Sequence, residues 1–115
     1  MPRDCLFCQI VAKELPATIA YEDPEVVAFH DVAPQAPVHL LVVPRRHLAR
    51  ISELQAADAP MISHLVMTAN QLARTLGVDE AGYRLVMNCN AHGGQTVFHV
   101  HLHLLGGRPM RWPPG

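Results

Sequence analysis

The segment His99-Val100-His101-Leu102-His103-Leu104-Leu105 alternates imidazoles with aliphatic side chains. Successive side chains of a β-strand point to opposite faces, so His99, His101 and His103 would stand in one row, about 6.5 Å apart. Val100, Leu102 and Leu104 would then point into a core. Imidazoles removed from water need hydrogen-bond partners or they cost stability. Three readings of such a row are open: histidines satisfied or solvated without special role, a metal site built from imidazole ligands, or a nucleophilic imidazole oriented by its neighbours.

Immediately upstream stands Gly93-Gly94-Gln95-Thr96. Glycines allow close backbone approach to an anion, successive N–H groups can bind phosphate oxygens, and Thr96 adds a hydroxyl. A Walker A loop is excluded, because no Gly-Lys-Ser/Thr is present and a strand, not a helix, is expected to follow. Joined to the histidine row, the glycines suggest phosphate held against an imidazole.

Further out, the pattern predicts a short helix over residues 5–13, with Leu6, Ile10 and Lys13 on one face and Phe7 and Val11 beside it. Pro16 lies just past its end. Strands are expected at Thr18 to Tyr21, Val26 to His30 and Val38 to Val43, with a turn at Glu22-Asp23-Pro24-Glu25 and a rigid connection at Pro34 and Pro37. Pro44 should end the third strand. The spacing of Ile62, Leu65, Val66, Ala69, Leu72, Ala73 and Leu76 predicts a long amphipathic helix over about 58–76. Asp58 is the expected N-cap, Pro60 fits the first turn, and Gly77 suits the position just past the end. Strands Tyr83 to Asn88 and Val97 to Leu105 complete the pattern. The tail Arg108-Pro109-Met110-Arg111-Trp112-Pro113-Pro114-Gly115 suits neither helix nor central strand, and Trp112 is expected to pack on something. Consecutive strands with short turns and one long helix give an α+β class with an antiparallel sheet.

The chain of 115 residues, half of them apolar, fits a single domain, 1–115, with one core. A net charge of −1 without runs of like charge leaves no electrostatic footprint for nucleic acid or an anionic membrane. A small anion in one local pocket remains compatible with this balance. No secretion signal or membrane span is expected, which makes the cytoplasm the default compartment. The cysteines are Cys5, Cys8 and Cys89, an odd count that argues against a disulfide framework. Cys5-x-x-Cys8 is compatible with a zinc site, with two buried thiols or with a redox pair. Of the remaining histidines, His64 lies off the apolar stripe and is expected in solvent, His30 is read as structural, and His92 sits in the loop before Gly93. Cys89 suggests no role.

The stretch Gly93-Gly94-Gln95-Thr96-Val97-Phe98-His99-Val100-His101-Leu102-His103-Leu104-Leu105-Gly106-Gly107-Arg108 resembles the histidine-triad superfamily, and within it the histidine-triad nucleotide-binding branch. The resemblance extends to Phe29-His30-Asp31-Val32-Ala33-Pro34-Gln35-Ala36-Pro37, to His39, to Pro44-Arg45-Arg46-His47 and to Trp112-Pro113-Pro114-Gly115. It implies an antiparallel sheet of about five strands with one long and one short helix, assembled as a homodimer. It implies hydrolysis of purine nucleoside phosphoramidates through a nucleotidyl intermediate on His101, a step needing no divalent metal. His103 would bond the phosphate, and His39 would orient His101 from a neighbouring strand. Asn88, Gly94 and Thr96 would contact phosphate, ribose or leaving group; the family more often has Ser at the last position, so Thr96 keeps the hydroxyl and adds a methyl. Asp31 would accept from the ribose hydroxyls, and Leu6, Phe7, Ile10, Phe29 and Val32 would form the slot for the base. Trp112 would reach toward the partner's active site. Cys5, Cys8, His47 and His99 resemble the structural zinc ligands of bacterial members. The rivals are a dinucleoside polyphosphate hydrolase or nucleotidyltransferase of the same superfamily, against which length and the Trp-Pro-Pro-Gly ending argue, and a non-catalytic nucleotide- and partner-binding protein.

Overall fold

In a computed structural model, which describes residues 4–115, five strands form one antiparallel sheet in the order β1-β2-β3-β5-β4. The strands are β1 (Ile19–Glu22), β2 (Val26–His30), β3 (Val38–Pro44), β4 (Tyr83–Val86) and β5 (Leu102–Gly106). Three α-helices accompany them: α1 (Leu6–Val11), α2 (Ala59–Thr75) and the single turn α3 (Asn90–Gly93). The α+β reading and the strand number hold, and α3 is an addition in the segment read as a Gly-rich turn.

Both faces of the central strands are covered, which is why β2 and β3 read as nearly unbroken apolar runs. Val26, Ala28, Leu40, Val42, Leu102 and Leu104 pack with Leu65, Ala69, Leu72 and Ala73 of α2. On the other face Val27, Phe29, Leu41 and Val43 pack with Phe7, Ile10 and Val11 of α1. Helix α2 starts at Ala59 with Pro60 in its first turn, and it ends before Gly77, whose φ of +72° allows the left-handed exit. Asp58 occupies the N-cap position without a side-chain cap bond; its carboxylate instead accepts from the Gln55 N–H and from Arg46. Helix α1 is shorter than the reading over 5–13, because Cys5 is its N-cap and Lys13 takes a left-handed φ of 60°. No helix among the described residues is long and apolar enough to cross a membrane.

The strand expected over Val97 to Leu105 is the main correction. The ladder with β3 covers only Leu102 to Gly106, opposite Val42 to Val38. At the far end of β3, Pro44 has no N–H to donate and its carbonyl accepts from the His99 imidazole (2.7 Å). The Val100 N–H goes to the Leu48 carbonyl instead (2.7 Å). The alternation of faces nevertheless persists: Val100, Leu102 and Leu104 lie in the α2 core, while His99 and His101 lie edge-on to Phe7 of α1. Similarly, β4 stops at Val86 rather than Asn88.

Candidate active site and metal centre

Strand β5 lies between β3 and β4, so its His103 is paired across the ladder with Leu41, two residues from His39. Both imidazoles occupy the α1 face of the sheet. His39 Nδ1 accepts from the Gln35 backbone N–H (3.0 Å), so the proton of this neutral ring sits on Nε2. That N–H donates to His103 Nδ1 (2.9 Å), with an Asp31 carboxylate oxygen 3.5 Å away. The His103 proton is thereby placed on Nε2, a buried donor with no partner among the described residues.

His101 has the opposite arrangement. Its Nδ1–H donates to the His99 carbonyl (2.7 Å), leaving the Nε2 lone pair without a partner among the described residues. The ring is buried, and Phe7 braces it edge-on at 5.0 Å between centroids. Burial pushes the His101 imidazole below its ordinary value, against the opposing pull of the His99 carbonyl and the Asp31 charge. His103 is pushed down to about 4, mainly by burial and then by the neighbouring His101 and His39 rings. Burial likewise lowers His39. Neutral rings near pH 7, one presenting a lone pair and the next an N–H, can attack an electrophilic centre and hold its oxygen.

The two rings line a cleft of about 470 Å³, within the usual range for a small-molecule site. Its walls include Leu6, Phe7, Ile10, Phe29, Asp31, Val32 and Thr96. Every residue expected in the apolar slot is thus there, and Asp31 and Thr96 bring the polar groups. Asp31 is held by the Ala33 N–H (2.8 Å). Val32 is 98 % exposed, so it stands at the mouth rather than in the core. Asn88 and Gly94 are neighbours, with the position of a Gly94 Cβ 3.9 Å from Asn88 Nδ2, but they do not line this cleft. Trp112 is 83 % exposed, so within one chain it does not join the site.

The expectation for His39 is corrected here. His39 does not orient His101; it bonds His103, because the antiparallel register sets His39 opposite Leu105 and leaves His101 beyond the end of the ladder. The orienting group of His101 is the His99 carbonyl. His64, expected in solvent, is partly exposed and also has its Nε2 bonded to Asp23 (2.7 Å), which ties α2 to the β1–β2 turn. His30, read as structural, lines the cleft.

Two groups went unassigned in the sequence. Gln95 is buried and donates to the Ala49 and Val97 carbonyls (2.8 and 3.1 Å) while accepting from the Asn90 N–H (2.9 Å), so it ties down the loop before Thr96. The Gln35 backbone sets the His39 tautomer, and no side-chain pattern announces a backbone donor.

Cys5, Cys8, His47 and His99 converge behind the cleft, their ligand atoms all within 4.8 Å of one another. His99 Nε2–H donates to the Pro44 carbonyl, so its Nδ1 lone pair faces this cluster. Nδ1 of His99 lies 3.5 Å from each sulfur and 3.3 Å from His47 Nδ1, and Cys8 Sγ lies 3.3 Å from His47 Nδ1. A tetrahedral zinc with bonds of about 2.3 Å to sulfur and about 2.05 Å to nitrogen has S–N edges of about 3.6 Å and an N–N edge of about 3.3 Å. The donor set therefore fits zinc in both chemistry and spacing. Burial, followed by the hydrogen bond and charge of Cys5, raises the Cys8 thiol to about 11, a cost that a bound cation would offset. Asp31, His39 and His103 also cluster. There, however, the 2.9 Å contact is a hydrogen bond and the Gln35 N–H already occupies His39 Nδ1. A metal at His39 Nε2 would need the other tautomer.

Comparison with known proteins agrees with this architecture. The HIT domain family model matches residues 12–110. An uncharacterised HIT-like protein of Synechococcus elongatus is 49 % identical over the full length of both chains. Among solved structures, a HIT family hydrolase from Legionella pneumophila superposes with a TM-score of 0.96 at 50 % identity, covering 97 % of this chain and 100 % of the other. A HIT family hydrolase from Clostridium thermocellum gives 0.94 at 46 % identity, covering 96 % of each chain. Histidines from β3, from β5 and from the segment leading into β5 meet on one face of an antiparallel sheet, and this chain belongs to the HIT family.

Proposed function

We propose that this protein is a hydrolase that cleaves the P–N bond of purine nucleoside phosphoramidates. The observation that carries the reading is the pair of opposite proton states in one cleft: a lone pair on His101 Nε2 and an N–H on His103 Nε2 with no partner among the described residues. His101 Nε2 attacks the phosphorus, the P–N bond to the leaving amine breaks, and the amine departs with a proton taken from solvent water. His103 Nε2–H holds a phosphoryl oxygen throughout. Water then attacks the nucleotidyl-histidine, loses a proton, and releases the nucleotide with His101 restored. Asp31 accepts from the ribose hydroxyls, and the slot formed by Leu6, Phe7, Ile10, Phe29 and Val32 takes the base. Thr96, on the cleft wall, serves the phosphate and the leaving group, while Asn88 and Gly94 lie outside the cleft lining and are given no part in the reaction.

In the same reading Cys5, Cys8, His47 and His99 hold a structural zinc. When bound it supplies no chemistry at phosphorus but braces α1 and the His99 backbone. Two chains form a homodimer in which the exposed Trp112 of each reaches toward the other's cleft.

The test is a substrate panel. Adenosine 5′-phosphoramidate and amine-substituted analogues should be turned over with kcat/KM at least about tenfold above diadenosine polyphosphates, a gap of about 1.4 kcal/mol in transition-state stabilisation. Preference for the polyphosphates would replace this reading with the other hydrolases of the superfamily.

A further inference from the structure

We propose that Gly107 and Arg108 form a clasp on the Asp31–Pro37 loop that sets the proton positions of His39 and His103, which makes Arg108 a positioning residue. The inference rests on the reading of His103 as the donor to phosphate, and it concerns what keeps that donor in place. Within the loop the Asp31 N–H bonds the His39 carbonyl, the Ala33 N–H bonds the Asp31 carboxylate, the Gln35 side chain bonds the Ala33 carbonyl and Ala36 is buried, but none of these contacts engages the Gln35 backbone. Val32, Ala33, Pro34, Gln35 and Pro37 are exposed, and the segment lies outside the ladder between β2 and β3. Yet the Gln35 N–H must sit 3.0 Å from His39 Nδ1.

Two contacts from beyond β5 fix it. Arg108 donates through Nε and a terminal nitrogen to the one Gln35 carbonyl (3.1 and 3.0 Å). Its third donor goes to the Pro109 carbonyl (3.0 Å). The guanidinium is thus committed to backbone carbonyls, a two-point grip that a lysine cannot reproduce. Independently, Gly107 has a φ of +90°, and a Cβ there would come within 2.9 Å of the Pro37 ring. Bare backbone is therefore pressed against the far end of the loop.

The consequence follows from proton accounting. With the Gln35 N–H in place, His39 can carry its proton only on Nε2, and His103 must then carry its own on Nε2. If the loop drifts, water replaces that N–H, and water can accept as well as donate. His39 is then free to move its proton to Nδ1. Its bare Nε2 would require a proton on His103 Nδ1, and a neutral His103 would lose the N–H on Nε2. One loosened backbone donor therefore lets both rings exchange tautomers, with the Asp31 carboxylate 3.5 Å from His39 Nε2 still favouring the original one.

The experiment uses the full chain labelled with ¹⁵N-histidine, as wild type, Arg108→Ala and Arg108→Lys. Two-bond ¹H–¹⁵N correlations read each tautomer, and kcat is measured alongside. In the wild type His39 and His103 should both carry the proton on Nε2. Arg108→Ala should shift both toward a mixture and lower kcat about tenfold, the scale of a misplaced proton-bearing group. Arg108→Lys should recover only part of each effect, and the His99 signals should stay fixed. Unchanged His39 and His103 tautomers in Arg108→Ala would overturn the clasp, whether or not kcat falls. The spectra report on the clasp whatever the substrate, so failure of the phosphoramidate reading would appear separately, as absent turnover in the wild type.

Discussion

The His101 imidazole is bonded through Nδ1–H to the backbone carbonyl of His99, 2.7 Å away, while the His99 side chain points its own Nδ1 at two cysteines and a histidine. One residue therefore connects two sites: its backbone fixes the tautomer of His101, the proposed nucleophile, and its side chain belongs to the candidate zinc site. Helix α1 repeats the connection, with Cys5 and Cys8 flanking the Phe7 ring that braces His101.

Removing the proposed zinc ligands should therefore act on stability first. Cys5→Ser with Cys8→Ser should abolish stoichiometric zinc in the purified protein and lower the melting temperature by several degrees or more, because structural zinc contributes directly to folding. Activity at a temperature well below the transition should fall less. Elemental analysis and thermal melts check both. A wild-type protein without zinc would contradict the assignment.

His39→Ala should lower kcat on the order of a hundredfold, because His103 Nδ1 loses its donor and the N–H on Nε2 is no longer enforced. The His101 tautomer should survive, since it depends on the His99 carbonyl. A nucleotidyl adduct should therefore still form, slowly, in a single-turnover experiment. Wild-type kcat in this variant would remove His39 from the mechanism.

The pH dependence of stability follows from burial. His103 is held down at about 4 in the folded chain, whereas an unfolded imidazole titrates near about 6.5. The folded state then binds fewer protons, so this contribution is full above about 6.5 and is lost as the pH falls from there toward about 4. His39 is shifted in the same direction, also by burial. Melting temperature measured across this range should decline toward acid, and His103→Gln should flatten that decline. A melting temperature that rises on acidification would contradict the neutral state of these rings.

Much of this site is legible in the sequence because its informative residues have few alternative uses. The alternation from His99 to Leu104 identifies an imidazole face and a core face even though Pro44 ends the ladder before His101. The apolar slot is less legible by itself, since Phe7, Ile10 and Phe29 are also ordinary core residues, packed together in one cluster. Their assignment depended on the resemblance to a family. Register defeated the reading of His39: a sequence shows that two histidines are on strands, not which pair will meet. Backbone donors and acceptors were invisible for a simpler reason. The Gln35 N–H, the His99 carbonyl and the Pro44 carbonyl carry no side-chain signature, yet they set the proton on three imidazoles.

In the proposed mechanism His101 Nε2 is the nucleophile. Wild-type protein and His101→Ala should each be mixed with an adenosine phosphoramidate, quenched within one turnover and examined by intact-mass and peptide mass spectrometry. The expected result is a nucleotidyl adduct on the peptide containing His101 in the wild type, AMP accumulating in step, and neither in the variant despite retained nucleotide binding. An adduct on another residue, or AMP release by His101→Ala at close to the wild-type rate, would contradict it.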